Sequence, residues 1–314
     1  MTVSAGRQLR DAAAAGTLQV PGAFNALAAR MIEQAGFPAA YLSGAAFSAG
    51  ALALPDVGLF TLTELVQQTT WLTRSVSIPL IVDADTGFGE AINVERAVRE
   101  LEAAGAAAIQ LEDQLLPKRC GHLSGKSLAE PEAMCSKIRA AVSARRNHDT
   151  VILARTDARG VIGMQAAIDR AKSYVDAGAD WIFPEALASE EEFAQMAQAL
   201  RGSGASPGDP SAGPILVANM TEFGKSPLLT RDRLSGLGYG AILYPVTLLR
   251  LAMKRVDLAL ATLASAGTQQ TLIDDMQTRQ ELYDLLGYAD YEARDRSHFQ
   301  GGSPNPVTPK VTRG

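Results

Sequence analysis

The stretch LEDQLLPKRCGHLSGKSL (111–128) sets Cys120, one of two cysteines in the chain, among Lys118, Arg119 and His122. Nearby cations stabilise a thiolate and draw a thiol pKa from about 8.5 toward neutrality, which suits a group that must exchange a proton near pH 7. Cys120 is therefore a candidate acid. Gly121 and Gly125 give the surrounding loop freedom to open and close over a substrate. His122 has two readings, orienting a substrate carboxylate or satisfying a loop carbonyl. Cys135, on the apolar side of EAMCSKIRAAV, reads as core filler. Two cysteines are too few for a disulfide framework.

A second group of residues is acidic. In PLIVDADTG (79–87), Asp83 and Asp85 are two apart on an extended run, so both carboxylates point to one face and repel unless a cation lies between them. Glu112 ends the apolar run AAIQLEDQ (107–114) and can complete an oxygen-rich pocket. Oxygen donors without clustered His or Cys favour Mg²⁺, with Mn²⁺ as a substitute, over Zn²⁺. The competing reading is that these acids are helix caps or loop charges.

What must position these groups is a repeated theme of a short apolar run ending in a polar residue, then a longer helical segment. Eight such runs occur, at 18–24, 39–44, 79–87, 107–114, 151–158, 181–186, 214–220 and 240–246. Amphipathic stretches such as 91–105 and 164–180 lie between them, each with a glycine at a position that suits a helix C-terminus. Eight strand–helix units over about 250 residues predict a (β/α)₈ barrel. A doubly wound sheet would want a glycine-rich phosphate loop after the first strand, and VPGAFNALAAR has none. In a barrel the strand ends share one mouth, here carrying Ser43, Asp83, Asp85, Glu112, Asp113, Arg155, Asp157, Glu185 and Asn219. The domain reading is one barrel with a C-terminal helical extension over 1–293, then a polar, mobile tail over 294–314. RGSGASPGDPSAG (201–213) reads as a surface loop.

At 314 residues, 47% hydrophobic and 20% charged, the chain is globular. Its net charge is −5 and its basic residues are scattered, which excludes the footprint of a nucleic-acid binder. The N-terminus lacks a signal-peptide core and no apolar run approaches the roughly 20 residues of a membrane span, so a cytoplasmic protein is expected.

The motifs PKRCGH, YLSG, DADTGFG, LEDQ, ARTDA, FPEA, NMTEFG, LYPVTLLR and MQTRQELY, in order from about residue 18 to 290, resemble the isocitrate lyase and phosphoenolpyruvate mutase superfamily, and within it the bacterial 2-methylisocitrate lyases. The resemblance implies a (β/α)₈ barrel with one C-terminal helix swapped between subunits, a homotetramer, and Mg²⁺ in the mouth. It implies cleavage of 2-methylisocitrate to pyruvate and succinate in propionate catabolism. Carried onto this chain, it makes Asp83 and Asp85 metal positions, with Asp56 and Glu112 acting nearby, partly through metal-bound waters. Ser43, Gly44, Ala45, Cys120, Gly121, Arg155, Glu185, Asn219, Met220, Thr221, Arg250 and Arg279 fall at substrate-contacting positions. Phe183 and Leu243 fall where the extra methyl is accommodated. This chain reads SGAA where many relatives read SGGG, so Ala45 and Ala46 add methyl groups at a carboxylate-binding turn.

The residues can meet the demands of that reaction. Breaking the C2–C3 bond of a 2-hydroxy tricarboxylate needs a base for the hydroxyl proton, for which Tyr41 is the candidate, and a cation lowers that proton's pKa. The leaving carbanion needs charge neutralisation, from Arg155, Arg250 or Arg279, and then a proton, from Cys120. Isocitrate lyase, an oxaloacetate decarboxylase or phosphonopyruvate-processing enzyme, and a non-catalytic metabolite-binding barrel remain as alternatives. The segment 271–293 is amphipathic beyond the eighth unit and is expected to pack on a partner subunit.

Overall fold

Each of the eight apolar runs forms a strand in the computed structural model, which describes residues 3–299 except 120, 124, 203 and 205. The strands are β1 (Leu18–Pro21), β2 (Ala40–Leu42), β3 (Leu80–Asp83), β4 (Ala108–Glu112), β5 (Val151–Thr156), β6 (Trp181–Pro184), β7 (Ile215–Asn219) and β8 (Tyr239–Tyr244). All pair in parallel, in the order β1-β8-β7-β6-β5-β4-β3-β2. The ring closes between β1 and β2 through a single bridge of Gly22 with Tyr41, where the Ala23 amide donates to the Tyr41 carbonyl at 2.8 Å. The fold is a TIM-type barrel. The strands are shorter than the apolar runs, and the inward polar residues Asp83, Glu112, Arg155 and Asn219 stay in the ladder at or near the strands' C-terminal ends.

Side chains of period two divide the barrel into two cores. Val20, Ile81, Val151, Leu153, Trp181, Phe183, Val217 and Leu243 point inward and pack together. Val82, Ile109, Ile152, Ala154, Ile182, Leu216 and Ile242 point outward under the surrounding helices. Helix α1 (Ala5–Ala14) adds Leu9 and Ala13 to the inner cluster at the N-terminal end of the strands. The inner column therefore starts apolar and ends polar: Ile81 leads to Asp83, Leu153 to Arg155, Val217 to Asn219.

The helices between strands are α2 (Ala26–Gln34), α3 (Gly44–Leu52), α4 (Leu62–Ser75), α5 (Ala91–Ala103), α6 (Pro131–Ala144), α7 (Arg159–Ile162), α8 (Met164–Asp176), α9 (Glu190–Arg201) and α10 (Arg231–Gly236). The glycines expected after α5 and α8 stand at Gly105 and Gly178 with φ of 95° and 106°, a conformation glycine adopts without strain. Cys135 of α6 is buried and its thiol donates to the Ser173 carbonyl, as core filler would. The 201–214 turn is pinned by Arg201, whose guanidinium donates to the carbonyls of Ser206, Asp209, Gly213 and Pro214.

The chain divides into two compact units, Met1–Val256 and Asp257–Gly314, with the boundary inside helix α11 (Thr247–Ala266). In the first unit an apolar groove of about 560 Å³ runs along α2 and the start of α11, lined by Phe24, Leu27, Met31, Phe37 and Leu248. Leu249 is the buried residue of α11, while Leu251, Met253, Val256, Leu258, Leu260 and Leu263 are exposed. In the second unit, 271–293 is not one helix. A 3₁₀ turn (Gln270–Asp275) precedes α12 (Arg279–Leu286), and Gly287 at φ 68° separates it from α13 (Tyr288–His298). Helix thus continues past residue 293, where the polar tail was expected to begin. Residues 300–314 of that tail lie outside the described residues. Among the described residues no helix is long and apolar enough to cross a membrane.

Barrel closure leaves a direct prediction. A Cβ at Gly22 would run into the Pro245 carbonyl, whereas a Cβ at Gly236 meets open space. Gly22→Ala should lower the midpoint of thermal unfolding by about 5 °C or more. Gly236→Ala should stay within about 2 °C of the parent. Equal midpoints would show that closure at Gly22 does not limit stability.

Candidate active site

At the end of β3 two aspartates sit two residues apart and in different surroundings. Asp83 is saturated: Oδ2 accepts from the Tyr41 hydroxyl and the Gly44 amide, both at 3.1 Å, and Oδ1 accepts from Gln110 Nε2 at 2.9 Å and the Asp85 amide at 3.2 Å. Asp85 has φ 48°, a left-handed conformation that costs a non-glycine residue on the order of 1 kcal/mol. Its Oδ1 accepts no hydrogen bond among the described residues. Burial raises the Asp85 pKa to about 7 despite the opposing pull of Lys118.

Lys118 stands near Cys120 in the chain, but its ammonium reaches acids. Its Nζ lies 2.5 Å from both Asp56 Oδ1 and Asp85 Oδ1. Burial opposes its charge, and Glu112, Asp85, Asp83 and Asp56 outweigh burial to raise its pKa. The ammonium thus pairs with both aspartates, while Glu112 Oε1 has no hydrogen-bond partner among the described residues. Burial raises the Glu112 carboxyl well above the usual range, with partial compensation from Arg155 and Lys118.

Arg155 stands on the neighbouring strand β5, in register with Glu112. Nε donates to Asp157 Oδ2 at 2.9 Å and Nη2 to Asp157 Oδ1 at 3.1 Å; Glu112 and Glu185 oxygens each lie 3.4 Å from the guanidinium. The guanidinium covers the Phe183 ring at 5.2 Å. Burial disfavours its charge, but Asp157, Glu185 and Glu112 hold its pKa well above the ordinary value. Burial likewise works against an ionised Glu185, and Arg155, His122 and Lys126 reverse it to hold Glu185 at about 2. His122 is oriented by two partners: Nδ1 accepts from the Lys225 amide at 2.9 Å, which leaves Nε2 to donate to Glu185 Oε1 at 2.8 Å. Asn219 Nδ2 donates to the other Glu185 oxygen at 3.1 Å.

A cavity of about 80 Å³ opens at this mouth; Lys118 lines it, whereas Asp85, Glu112 and Asp157 are not among its lining residues. Of the expected site residues, Tyr41, Ser43, Ala45, Asp56, Asp83, Gly121, His122, Arg155, Phe183, Glu185, Asn219, Thr221, Leu243 and Arg250 line it. Cys120 lies outside the described residues. Gly44 meets the acids from α3, and the Ser43 hydroxyl caps that helix by accepting from the Ala46 amide. Arg250 donates to the Glu222 carbonyl and covers the exposed Phe223 ring. Arg279 begins α12 in the second unit.

Three expectations are corrected. Tyr41 is completely buried, donates to Asp83 and is within 3.0 Å of Gln110 Oε1; burial and then Asp83 raise its pKa well above the ordinary value, the wrong direction for a general base. Met220 turns outward into the helix-facing core, where its sulfur accepts from the Leu229 amide, because 219 and 221 take the inward phase. Asp113 also turns outward and accepts from Thr156, Tyr174 and the Asp157 amide, so it supports the mouth from behind.

Sequence reasoning missed Gln110 and Lys126. Gln110 shares the inward phase of Glu112 and could have been found by counting in twos; Lys126 reaches Asp157 at 2.6 Å across 31 positions, which no local pattern reveals.

Among the described residues no three His, Cys, Asp or Glu side chains converge into a ready metal shell. The donors still fit a hard cation: the Asp56, Asp85 and Glu112 carboxylates gather there with no hydrogen bond to one oxygen of each among the described residues. The charge that now compensates Asp56 and Asp85 is the Lys118 ammonium, whose place a cation would take. Mg²⁺ typically binds through one or two carboxylates and keeps several waters, so a full protein shell is not required.

The phosphoenolpyruvate phosphomutase family matches residues 8–264. A 2-methylisocitrate lyase of Aeropyrum pernix is 54% identical over 88% of this chain and 84% of its own. Among solved structures, 2,3-dimethylmalate lyase superposes with a TM-score of 0.86 at 32% identity, covering 97% of this chain and all of that one. Phosphonopyruvate hydrolase, solved with oxalate and Mg²⁺, has a TM-score of 0.81 at 30% identity and covers 94% and 99%. The chain belongs to the phosphoenolpyruvate phosphomutase family and, within it, to the 2-methylisocitrate lyases.

Proposed function

We propose that the chain cleaves the C2–C3 bond of 2-methylisocitrate to give pyruvate and succinate, as a cytoplasmic step in propionate breakdown. The observation that carries the reading is the paired surface of the mouth: a wall of carboxylates, Asp56, Asp83, Asp85 and Glu112, gathered around Lys118, and next to it on β5 a buried, permanently charged Arg155. The acid wall suits a cation, Mg²⁺ or Mn²⁺, and Arg155 suits a substrate carboxylate.

Asp85, Asp56 and Glu112 would hold the metal; Asp83, expected to share the metal with Asp85, has both oxygens hydrogen-bonded to Tyr41, Gly44, Gln110 and the Asp85 amide and so sets the position of Asp85. When bound, Mg²⁺ supplies Lewis-acid polarisation of the 2-hydroxyl and its neighbouring carboxylate. The remaining work belongs to side chains. Arg155 faces the charge that develops on the departing succinate carbons, in a site where burial strengthens the interaction. A carboxylate of the acid wall is the proposed acceptor of the 2-hydroxyl proton as the C2–C3 bond breaks and the C2–O bond becomes the carbonyl of pyruvate. Cys120 is the proposed donor of the proton to C3, which completes succinate. Glu185, His122 and Asn219 form one hydrogen-bonded unit that fixes the far wall. Phe183 and Leu243 offer the apolar surface for the methyl group.

Burying one methyl contributes about 0.8 kcal/mol by transfer and up to roughly 3 kcal/mol with good fit. The expected kcat/KM for 2-methylisocitrate therefore exceeds that for isocitrate by about 10- to 200-fold, read by 2-oxoacid formation and abolished by EDTA. Phe183→Trp should move the ratio toward isocitrate. Equal or faster turnover of isocitrate by the parent would reassign the activity to isocitrate cleavage.

The uncovered groove along α2 and the exposed apolar residues of α11 support a homotetramer in which a helix of a second copy covers the groove. Multi-angle light scattering should give four chains per particle; a stable, active monomer would contradict this assembly.

A further inference from the structure

Lys126 is buried deeply for a lysine, with its side chain 2% exposed, and both of its contacts belong to the mouth. Its Nζ donates to Asp157 Oδ1 at 2.6 Å and to the Gly121 carbonyl. Asp157 is the carboxylate that also holds Arg155 through two hydrogen bonds. Gly121 lies against the same pair from the other side, since a Cβ there would collide with Arg155 Nη2 and with Glu185 Cγ and Cδ. The neck of this segment is fastened separately. Leu115 donates to the Ser127 carbonyl at 2.8 Å, and the Gln114 side chain clamps the Arg119 peptide through both its amide and its carbonyl. The Lys126 ammonium is thus a further tie between the Gly121 peptide and the end of β5.

We propose that Lys126 is a positioning residue, which holds the Gly121 peptide against the Arg155–Glu185 pair and, through Asp157, sets the Arg155 guanidinium that faces the substrate. The inference rests on the lyase reading for its kinetic effect, but its structural effect can be read without substrate. Arg155 has two hydrogen bonds to one carboxylate and that carboxylate has a second cation on it, so removing Lys126 frees both the loop peptide and the lateral setting of Asp157. A misplacement of about 1 Å at a charge-stabilising group can cost on the order of 100-fold in rate.

The test compares full-length parent, Lys126→Met and Lys126→Arg. Amide hydrogen exchange of the ligand-free proteins, followed over 118–128, should be about 10-fold or more faster in Lys126→Met than in the parent, with thermal midpoints close together and β5 exchange unchanged. With 2-methylisocitrate, kcat should fall roughly 10- to 100-fold while KM changes by less than about 3-fold. Lys126→Arg, which keeps a charged donor, should recover at least about a tenfold share of the lost kcat and most of the protection. Parental exchange over 118–128 in Lys126→Met would overturn the proposal. So would a loss of kcat that Lys126→Arg does not recover at all. Failure of the parent itself to turn over 2-methylisocitrate would count against the lyase reading, and the exchange comparison would still decide the role of Lys126.

Discussion

Negative charge is concentrated in the mouth of this barrel beyond what its own cations neutralise, and much of the architecture manages that excess. Asp56, Asp83, Asp85, Glu112, Asp157 and Glu185 share the mouth with Lys118, Lys126 and Arg155. A buried carboxylate is tolerated only when it is paired, hydrogen-bonded or protonated. Asp157 and Glu185 are paired with cations, and Asp83 is hydrogen-bonded on both oxygens. Asp85 shares the single ammonium of Lys118 with Asp56, and Glu112 has Arg155 at 3.4 Å; neither contact offsets burial, which raises both the Asp85 and the Glu112 carboxyl toward protonation. A divalent cation relieves the same strain without neutralising the groups as ligands.

The two aspartates of β3 show how environment separates roles in side chains of one type. Asp83 stays in the ladder, and neighbouring strands bring Tyr41 and Gln110 to it. Asp85 lies one step beyond, where a left-handed backbone turns its carboxylate toward Asp56 and Lys118. The rigid partner defines the position, and the strained one meets a counter-charge, here the Lys118 ammonium. The loop after β4 then supplies charge from outside the barrel: Lys118 to the acid wall, His122 to Glu185, Lys126 to Asp157.

How far this could be read from the sequence follows from the range of each signal. Strands with period two and runs ending in polar residues are local, so the barrel, Asp83, Asp85, Glu112, Arg155 and Glu185 were legible, and the motif resemblance added Asp56 and Arg250. Parity separates Met220 from Asn219 and Asp113 from Glu112, so at those strand ends adjacent residues face opposite sides of the barrel wall. The saturation of Asp83 depends on Tyr41 and Gln110, 42 and 27 positions away. The burial that makes Tyr41 an unsuitable base comes from the closed ring. The loop lysines were read against their sequence neighbour Cys120, but their reach of several carbons lets them answer to carboxylates on other strands.

The central claim is that the acid wall of the mouth is a cation site. Isothermal titration of the metal-free protein with MgCl₂, in the absence of substrate, tests it most directly. The account predicts saturable binding of one Mg²⁺ per chain that Asp85→Ala abolishes while the circular dichroism spectrum stays that of the parent. No saturable binding to the parent, or binding unchanged in Asp85→Ala, would contradict it.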